Sequence, residues 1–279
     1  MPQRGRGRTV TSAMSLILVA LGAGGCGCPC PAPEEIGLPG TPMPWTDPHY
    51  AMDLPATTPD SRAAERAAGG WKLFIRHHEN RKRWVTEQEV DYLVIGDSIT
   101  FQWSRSAKAV WQKVHGHRKA VNIGSSGDRT EHMLWHIREG GLAGMADRNP
   151  KVVQLLIGTN NRGDPTLGGR DTAAGILALL KEIHHRLPRS KILLMALFPR
   201  GWAPEDKGRL RNQRVNDIIR DYADGETVLW VDLGHLFLDA DGNLRKDRMK
   251  DGLHPTLQGY EAWAEVMEPL LVDLLGESP

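Results

Sequence analysis

Five short runs of almost uninterrupted apolar residues constrain most strongly how this chain folds. Strands of a parallel sheet that is covered on both faces are apolar throughout, whereas strands with one solvent-exposed face alternate apolar and polar residues. The runs are DYLVIG (91–96), KAVNIG (119–124), VVQLLIG (152–158), KILLMAL (191–197) and TVLWVD (227–232). They predict five buried parallel strands.

Helical segments separate or follow these runs. In residues 171–187, 207–223 and 257–274, apolar side chains recur at intervals of three and four, which places them on one face of a helix. Strands that alternate with helices predict an α/β fold: a three-layer α/β/α sandwich around one five-stranded parallel sheet, with right-handed crossovers. Residues 71–279 contain all of these segments, and this length is ample for one domain with a single core.

Residues 1–25 predict an export signal. A basic start that includes Arg4 precedes the apolar run Leu16–Leu21, which is too short to span a bilayer and suits the core of a signal peptide. Translation from Met14 instead of Met1 leaves this run without its basic lead. We therefore expect an exported protein, either a cell-envelope lipoprotein or a secreted or periplasmic protein.

Residues 26–70 have the composition of a linker, because they are rich in Pro, Ala, Gly and Thr and offer little to bury. Cys26 follows small residues, as in a bacterial lipoprotein processing site, and is a candidate for lipidation and membrane attachment. Cys28 and Cys30 either pair or stay free, since three close thiols without a distant ligand make a poor zinc site. The chain from residue 71 onward contains no cysteine.

Charge and residue spacing exclude two classes of function. The formal net charge of +1 falls to about −2 without the three arginines of residues 1–25, whereas nucleic-acid binding needs a clustered excess of Lys and Arg. His132 and His136 have a spacing found in metal sites, but the helix lacks the accompanying glutamate and no third ligand is evident. We expect no nucleic-acid partner, no metal and no other cofactor.

Reactive residues follow several of the predicted strands. Ser98 follows the first run, Gly127 the second and Asn160 the third, while Asp251 and His254 precede the last helix. Chemistry in open α/β sheets lies beyond the carboxyl ends of the strands, so these residues are expected to converge at one edge.

Together these residues provide what nucleophilic acyl transfer requires. A serine hydroxyl is a weak nucleophile that needs a base, and Asp251, three residues before His254, can fix the imidazole tautomer that leaves Nε2 for Ser98. The oxyanion of the tetrahedral intermediate needs donors, for which the N–H of Ser98, the N–H of Gly127 and the amide of Asn160 are candidates.

The order and the sequences of these segments resemble the SGNH (GDSL-type) hydrolase superfamily. Its four sequence blocks centre on Ser in G-D-S, a glycine, Asn in G-x-N, and D-x-x-H. Within this superfamily, the chain is most similar to the catalytic subunits of the platelet-activating factor acetylhydrolases. The stretches that carry this similarity are NIGSSGDRTEHMLWHIREGGL, IGTNN, LLMALFPRG with RLRNQRVNDII, and DGLHPTLQGY. The resemblance covers about 71–275, with Ile99 standing where the GDSL name has Leu. It implies a flavodoxin-like fold, the triad Ser98, Asp251 and His254, and a homodimer.

Simpler roles remain open for the same residues. Ser98 can cap a helix after a strand, and Asp251 with His254 can form a loop pair, since Gly252 and Pro255 mark a turn. Four blocks in order favour the catalytic interpretation over these.

Residues beside the four blocks have further expected roles. Asp97 and Asp128 are expected to hold loop backbones instead of acting as acids, and Asn161 to cap or turn the chain. Trp202 and its neighbour Arg200 are expected to contact substrate.

The sequence therefore predicts a serine esterase, and the resemblance to the acetylhydrolases implies that it acts on short acyl groups, acetyl in particular. Export favours an acetylated carbohydrate or a similar small ester as the substrate. Two alternatives remain: a lysophospholipase or thioesterase for longer acyl chains, which requires a longer apolar groove, and a non-catalytic surface-anchored binding protein on the same fold.

Overall fold

The computed structural model describes residues 55–61, 71–145, 147–161 and 169–278. The expected signal peptide, Cys26 and most of the expected linker lie outside the described residues.

The sheet has five parallel strands, as the apolar runs predict. The strands are β1 (Tyr92–Gly96), β2 (Ala120–Asn122), β3 (Val152–Leu156), β4 (Lys191–Met195) and β5 (Val228–Val231). Their order across the sheet is β2-β1-β3-β4-β5, and every neighbouring pair is parallel. All residues of β1 and β3 are buried, which explains why these two runs lack alternation. The expected α/β fold is confirmed.

Seven α-helices occur in the described residues. They are α1 (Trp71–Glu87), α2 (Ser98–Trp103), α3 (Lys108–His115), α4 (Thr130–His136), α5 (Arg170–Arg186), α6 (Lys207–Ile219) and α7 (Leu257–Leu275). A π-helical turn, Ile137–Gly141, continues α4, and short 3₁₀ turns lie at Pro55–Thr57, Arg220–Tyr222 and Gly234–Phe237. The three helices expected from apolar spacing correspond to α5, α6 and α7.

Aromatic packing fixes α2 relative to α7. Trp103 of α2 and Trp263 of α7 are fully buried with ring centroids 4.2 Å apart, and Tyr260 stacks on both rings. The Tyr260 hydroxyl also donates to the carbonyl of Ile99, at 2.7 Å. Because α2 begins at Ser98 and α7 begins three residues after His254, this packing sets the spacing between the two.

Part of the expected linker packs on the domain. Ala56 is buried, its carbonyl accepts from the Thr130 hydroxyl at 3.0 Å, and Asp60 N–H donates to the carbonyl of Glu131 at 3.1 Å. A Cβ on Gly175 of α5 would overlap the Thr130 side chain. The close fit at this glycine, which composition alone does not reveal, explains why this Pro-rich stretch lies against α4 and α5.

Among the helices that the structure describes, none is both long and apolar enough to span a bilayer.

Candidate active site

Ser98 occupies the turn from β1 into α2. Asp97 caps the helix, its carboxylate accepting from the N–H of Ile99 at 3.0 Å. A Cβ on Gly96 would overlap the carbonyl of Leu156 and the side chain of Thr100, so this position admits only glycine. The N–H of Ser98 makes no hydrogen bond to any described residue. Its location in the first turn of the helix directs it toward a ligand with negative charge.

A hydrogen-bonded chain links Ser98 to Asp251 through His254. The Ser98 Oγ lies 2.9 Å from His254 Nε2, and His254 Nδ1 lies 2.7 Å from Asp251 Oδ2. A carboxylate only accepts, so Nδ1 carries the proton and Nε2 of the neutral ring is free to accept from the serine. The structure thus brings together the three residues that the sequence predicts as a triad.

The loop that carries Asp251 and His254 is held by short-range bonds. Asp251 Oδ1 accepts from the N–H groups of Leu253 and His254, at 3.1 and 2.7 Å. The loop closes by an antiparallel bridge between Met249 and Pro255, with Lys250 N–H donating to the carbonyl of His254. Burial alone would raise the pKa of Asp251, but the backbone and ring N–H groups of His254 hold this pKa below its usual value. We call residues 247–256 the acid–base loop.

Asn160 lies on the opposite side of the candidate site, after β3. Its Nδ2 donates to the carbonyl of Asp128 at 3.0 Å, which leaves a second amide proton for another acceptor. Gly127 precedes Asp128 with φ of 73°, a conformation that favours glycine. Asn161 instead holds the start of α4, accepting from the N–H of Thr130 at 3.1 Å and donating to its hydroxyl at 2.8 Å. This agrees with the capping role expected for Asn161.

A buried polar network, comprising His78, Arg81, Asp128 and His136, lies under this side of the site. His136 Nε2 is 3.1 Å from Asp128 Oδ2, and the Nδ1 atoms of His78 and His136 are 2.9 Å apart. His78 Nε2 is 3.2 Å from the carbonyl of Glu139, which can only accept. His136 Nδ1–H therefore donates to His78, and His136 Nε2 lies between Arg81 Nη1, at 3.3 Å, and the Asp128 carboxylate.

The charges in the buried network follow from burial and mutual contact. Burial lowers the pKa of His78, and it lowers the pKa of His136 to about 4. Burial alone would raise the pKa of Asp128, but His136 and Arg81 hold that pKa below its usual value. At neutral pH the low pKa of Asp128 keeps its carboxylate charged beside the Arg81 cation.

Asp97 lies where the two sides of the site meet. Burial raises the pKa of Asp97 to about 7, and the negative charge of Asp128 raises it further, while the N–H of Ile99 opposes the shift. Its observed contact is the helix cap, which agrees with the backbone-holding role expected from the sequence.

Trp202 and Arg200 lie in the loop after β4. Trp202 is exposed and lies against Gly252 of the acid–base loop. Arg200 Nη1 donates to the carbonyl and the hydroxyl of Thr159, at 2.8 and 3.2 Å, beside Asn160. The structure contains no substrate, so contact of either residue with substrate stays a prediction.

One other group of potential metal ligands comes together among the described residues. His117, Glu268 and Glu277 approach one another near α7, but both carboxylates bind Arg118, with Nη2 2.7 Å from each. These contacts form an ion-pair network.

Sequence reasoning missed the network residues His78 and Arg81, and also Arg209, which is buried. Arg209 donates to the carbonyls of Arg200, Gly201 and Gly242, at 3.0, 2.7 and 2.8 Å. The only sequence sign of this was an arginine among the apolar residues of a helix, and charged residues on amphipathic helices are usually solvated.

Comparison with known proteins gives consistent results. The profile of the GDSL-like lipase/acylhydrolase family matches residues 94–262. The chain is 31% identical to the alpha2 subunit of platelet-activating factor acetylhydrolase IB from Rattus norvegicus, over 81% of this chain and 93% of the relative. It is 29% identical to the alpha1 subunit from Homo sapiens, over 80% and 92%. The solved structure of a GDSL-like lipase from Bacteroides thetaiotaomicron superposes with a TM-score of 0.55 at 22% identity, covering 70% of this chain and 98% of that one.

Proposed function

The chain belongs to the GDSL-like lipase/acylhydrolase family and is a carboxylic ester hydrolase, and we propose that it is a serine esterase that removes acetyl groups from a carbohydrate. The observation that carries this proposal is the hydrogen-bonded chain from Ser98 through His254 to Asp251.

The first half of the proposed reaction forms an acyl-enzyme. Ser98 Oγ attacks the ester carbonyl carbon while His254 Nε2 takes the serine proton, and Asp251 stabilises the imidazolium through Nδ1–H. The tetrahedral intermediate then expels the alcohol, which receives its proton from His254 Nε2. The acetyl group remains bonded to Ser98 Oγ.

The second half regenerates the enzyme. His254 Nε2 removes a proton from water, the hydroxide attacks the acetyl carbonyl, and the second tetrahedral intermediate releases acetate as Ser98 Oγ recovers its proton from His254. In both halves the negative oxygen accepts from the N–H of Ser98, the N–H of Gly127 and the second amide proton of Asn160.

A labelling experiment tests the nucleophile. A fluorophosphonate probe forms a covalent bond with an activated serine and is expected to label the wild-type chain but not Ser98→Ala. Equal labelling of the two proteins would remove Ser98 from this role. Absence of labelling in the wild type, with the fold intact, would favour a binding protein that has kept the fold.

Acyl-chain length is the second point to test. Support for acetyl comes from the relatives, which are named acetylhydrolases. Hydrolysis of p-nitrophenyl acetate is expected to exceed that of the butyrate and octanoate esters in kcat/KM. A preference for octanoate would instead indicate a lysophospholipase or thioesterase.

The proposal extends to location and assembly. An exported enzyme tethered through Cys26 meets envelope or extracellular glycans, and the residues that motivate this lie outside those the structure describes. Metabolic labelling with an alkynyl fatty acid is expected to mark the wild type but not Cys26→Ser. Light scattering during size exclusion distinguishes a monomer from the expected homodimer.

A further inference from the structure

An exposed tryptophan lies in a groove beside the acid–base loop. Trp202 is 41% exposed, and it is the only aromatic residue among the large exposed hydrophobic side chains of the described residues. The groove has a volume of about 540 Å³, within the range of small-molecule sites. Around Trp202 its polar lining consists of Asp239, Asn243, Arg245, Lys246 and Asp247.

The indole ring is adjacent to the residues that would perform the reaction. A Cβ on Gly252 would lie 3.5 Å from both Cε2 and Nε1 of Trp202, so the ring lies against the backbone between Asp251 and His254. Gly252 and His254 are two residues apart, and two such steps span at most about 7.6 Å. A substrate bound across the indole is therefore within one or two sugar units of His254 and Ser98.

Hydrogen bonds of the surrounding backbone hold the Trp202 loop in place. Leu244 N–H donates to the carbonyl of Trp202 at 3.0 Å, and Gly201 N–H donates to the carbonyl of Gly252 at 2.8 Å. The buried Arg209 guanidinium binds the carbonyls of Gly201 and Gly242, which joins the Trp202 loop to the turn across the groove. A buried arginine is costly unless its donors are satisfied. Here that arginine fixes the backbone on both sides of the indole.

The lining suits a sugar better than an acyl chain. A pyranose ring has an apolar face of C–H groups that packs on an indole, and hydroxyls at its edge that need donors and acceptors. Arg245 and Asp247 pair through two contacts of 2.6 and 3.2 Å, and Asn243 adds both hydrogen-bonding polarities. A long acyl chain would cover the Asn243 amide and the charged pair without offering either a hydrogen bond.

The charges favour a neutral sugar. Two cations, Arg245 and Lys246, and two carboxylates, Asp239 and Asp247, surround the indole, so the groove has no formal excess of either sign. Lys246 Nζ lies 5.9 Å from the centroid of the Trp202 ring. An anionic polysaccharide would meet the two carboxylates, whereas hydroxyl groups can pair with both charges.

We propose that this groove is a glycan subsite, in which Trp202 stacks on a neutral pyranose ring of the substrate while an acetyl group of the same glycan reaches Ser98. The subsite rests on the proposed esterase function. It assigns a stacking role to Trp202 and a positioning role to Arg209.

Kinetics on two substrates test the subsite in the full-length chain. O-acetylated cellotriose presents pyranose rings, and p-nitrophenyl acetate presents none. For Trp202→Ala the ratio of kcat/KM for cellotriose acetate to kcat/KM for p-nitrophenyl acetate is expected to fall about tenfold, mainly through KM. Trp202→Phe, which keeps a stacking ring, is expected to recover part of the loss. Val266→Ala, at an exposed apolar position on α7, serves as the control and leaves both rates unchanged.

These experiments test the glycan subsite separately from the esterase activity. An unchanged ratio in Trp202→Ala, with both esters hydrolysed, would overturn the subsite and leave the esterase standing. Binding without turnover gives a second measure, because titration calorimetry of cellotriose with Ser98→Ala does not need hydrolysis. Loss of that binding in the Ser98→Ala, Trp202→Ala double variant supports the subsite. Absence of binding by Ser98→Ala, or equal binding by both proteins, contradicts it.

Discussion

The two sides of the candidate active site are built in opposite ways. The acid–base loop is short and partly exposed, with 48% of the Asp251 side chain and 17% of the His254 side chain accessible, and the bonds that hold Asp251 in place join residues within three positions. The Asn160 side rests on the buried polar network, which joins His78 and His136 across 58 positions. Partial exposure on one side leaves His254, the proposed base, open to substrate. Burial on the other side holds Asn160, the proposed oxyanion donor, in place.

The largest expected effect tests the exposed side. Replacing His254 by Ala removes the proposed base, and kcat is expected to fall by on the order of 10⁴–10⁶-fold, with little change in the melting temperature because His254 contributes little to the core. His235→Ala, at an exposed histidine outside the acid–base loop, is the control and is expected to keep full activity. Rate assays on p-nitrophenyl acetate with thermal melts check both expectations; a large fall in melting temperature for His254→Ala would contradict the comparison.

The next effect concerns Asp97, at the junction of the two sides. Its pKa is raised from 3.8 to about 7, so between these pH values the folded state binds more protons than the unfolded state and stability falls as pH rises. At about 1.4 kcal/mol per pKa unit, the free energy of unfolding falls by about 4 kcal/mol across this pH range. Asparagine keeps the helix cap without the charge. The gain in free energy of unfolding of Asp97→Asn over wild type is expected to grow from pH 4 to pH 8.

Denaturant titrations at several pH values measure this difference, in which the contributions of other groups cancel. A difference that stays constant with pH would show that Asp97 is ionised throughout. Asp128→Asn removes a negative neighbour and is expected to shift the window of the Asp97 effect to lower pH.

A smaller effect separates the neighbouring asparagines. Asn160→Ala is expected to lower kcat by about 10²-fold with the fold intact, the usual cost of one oxyanion donor. Asn161→Ala removes the bonds that hold the start of α4, so it is expected to lower the melting temperature with a smaller loss of rate. Matched kinetics and melts of the two variants check this, and the assignment of Asn160 to the oxyanion hole is wrong if both behave like Asn161→Ala.

The smallest effect tests the buried side. His136→Gln removes a ring between His78 and Asp128 and is expected to cost about 2 kcal/mol of stability, or roughly 4–8 °C in melting temperature. The backbone carbonyl of Asp128 still accepts from Asn160 in this variant, so Asn160 keeps its position. A loss of rate of less than about tenfold is therefore expected. His185→Gln, at an exposed position on α5, is the control. Unchanged stability in His136→Gln would contradict a supporting role for the network.

The same contrast explains what could be predicted from the sequence. The strands were predicted to within about two residues. Burial on both faces makes β1 and β3 continuously apolar, whereas the edge strands β2 and β5 are only partly buried. Asp251 and His254 could be paired from spacing alone, since they are only three positions apart in one loop. Gly127 and Asn160 could be named from the blocks, because each follows a predicted strand.

The network could not be predicted, since α1 reaches α4 only through packing that leaves no local pattern. His136 was weighed with His132 as a metal-type pair, whereas its partners are Asp128 and a histidine far along the chain. Arg209 was missed for the same reason: its three acceptors are backbone carbonyls, which every residue has.

The local closure of the acid–base loop has a consequence for behaviour on warming. Its own bonds, such as Lys250 N–H to His254 and Thr256 N–H to Arg248, can open while the sheet stays intact. Hydrogen exchange at these amides is expected to be faster than in β3, and inactivation to precede loss of helical circular dichroism by several degrees. Cooling is then expected to restore hydrolysis without refolding of the core, so that moderate heat inactivates the enzyme reversibly and only higher temperatures denature it.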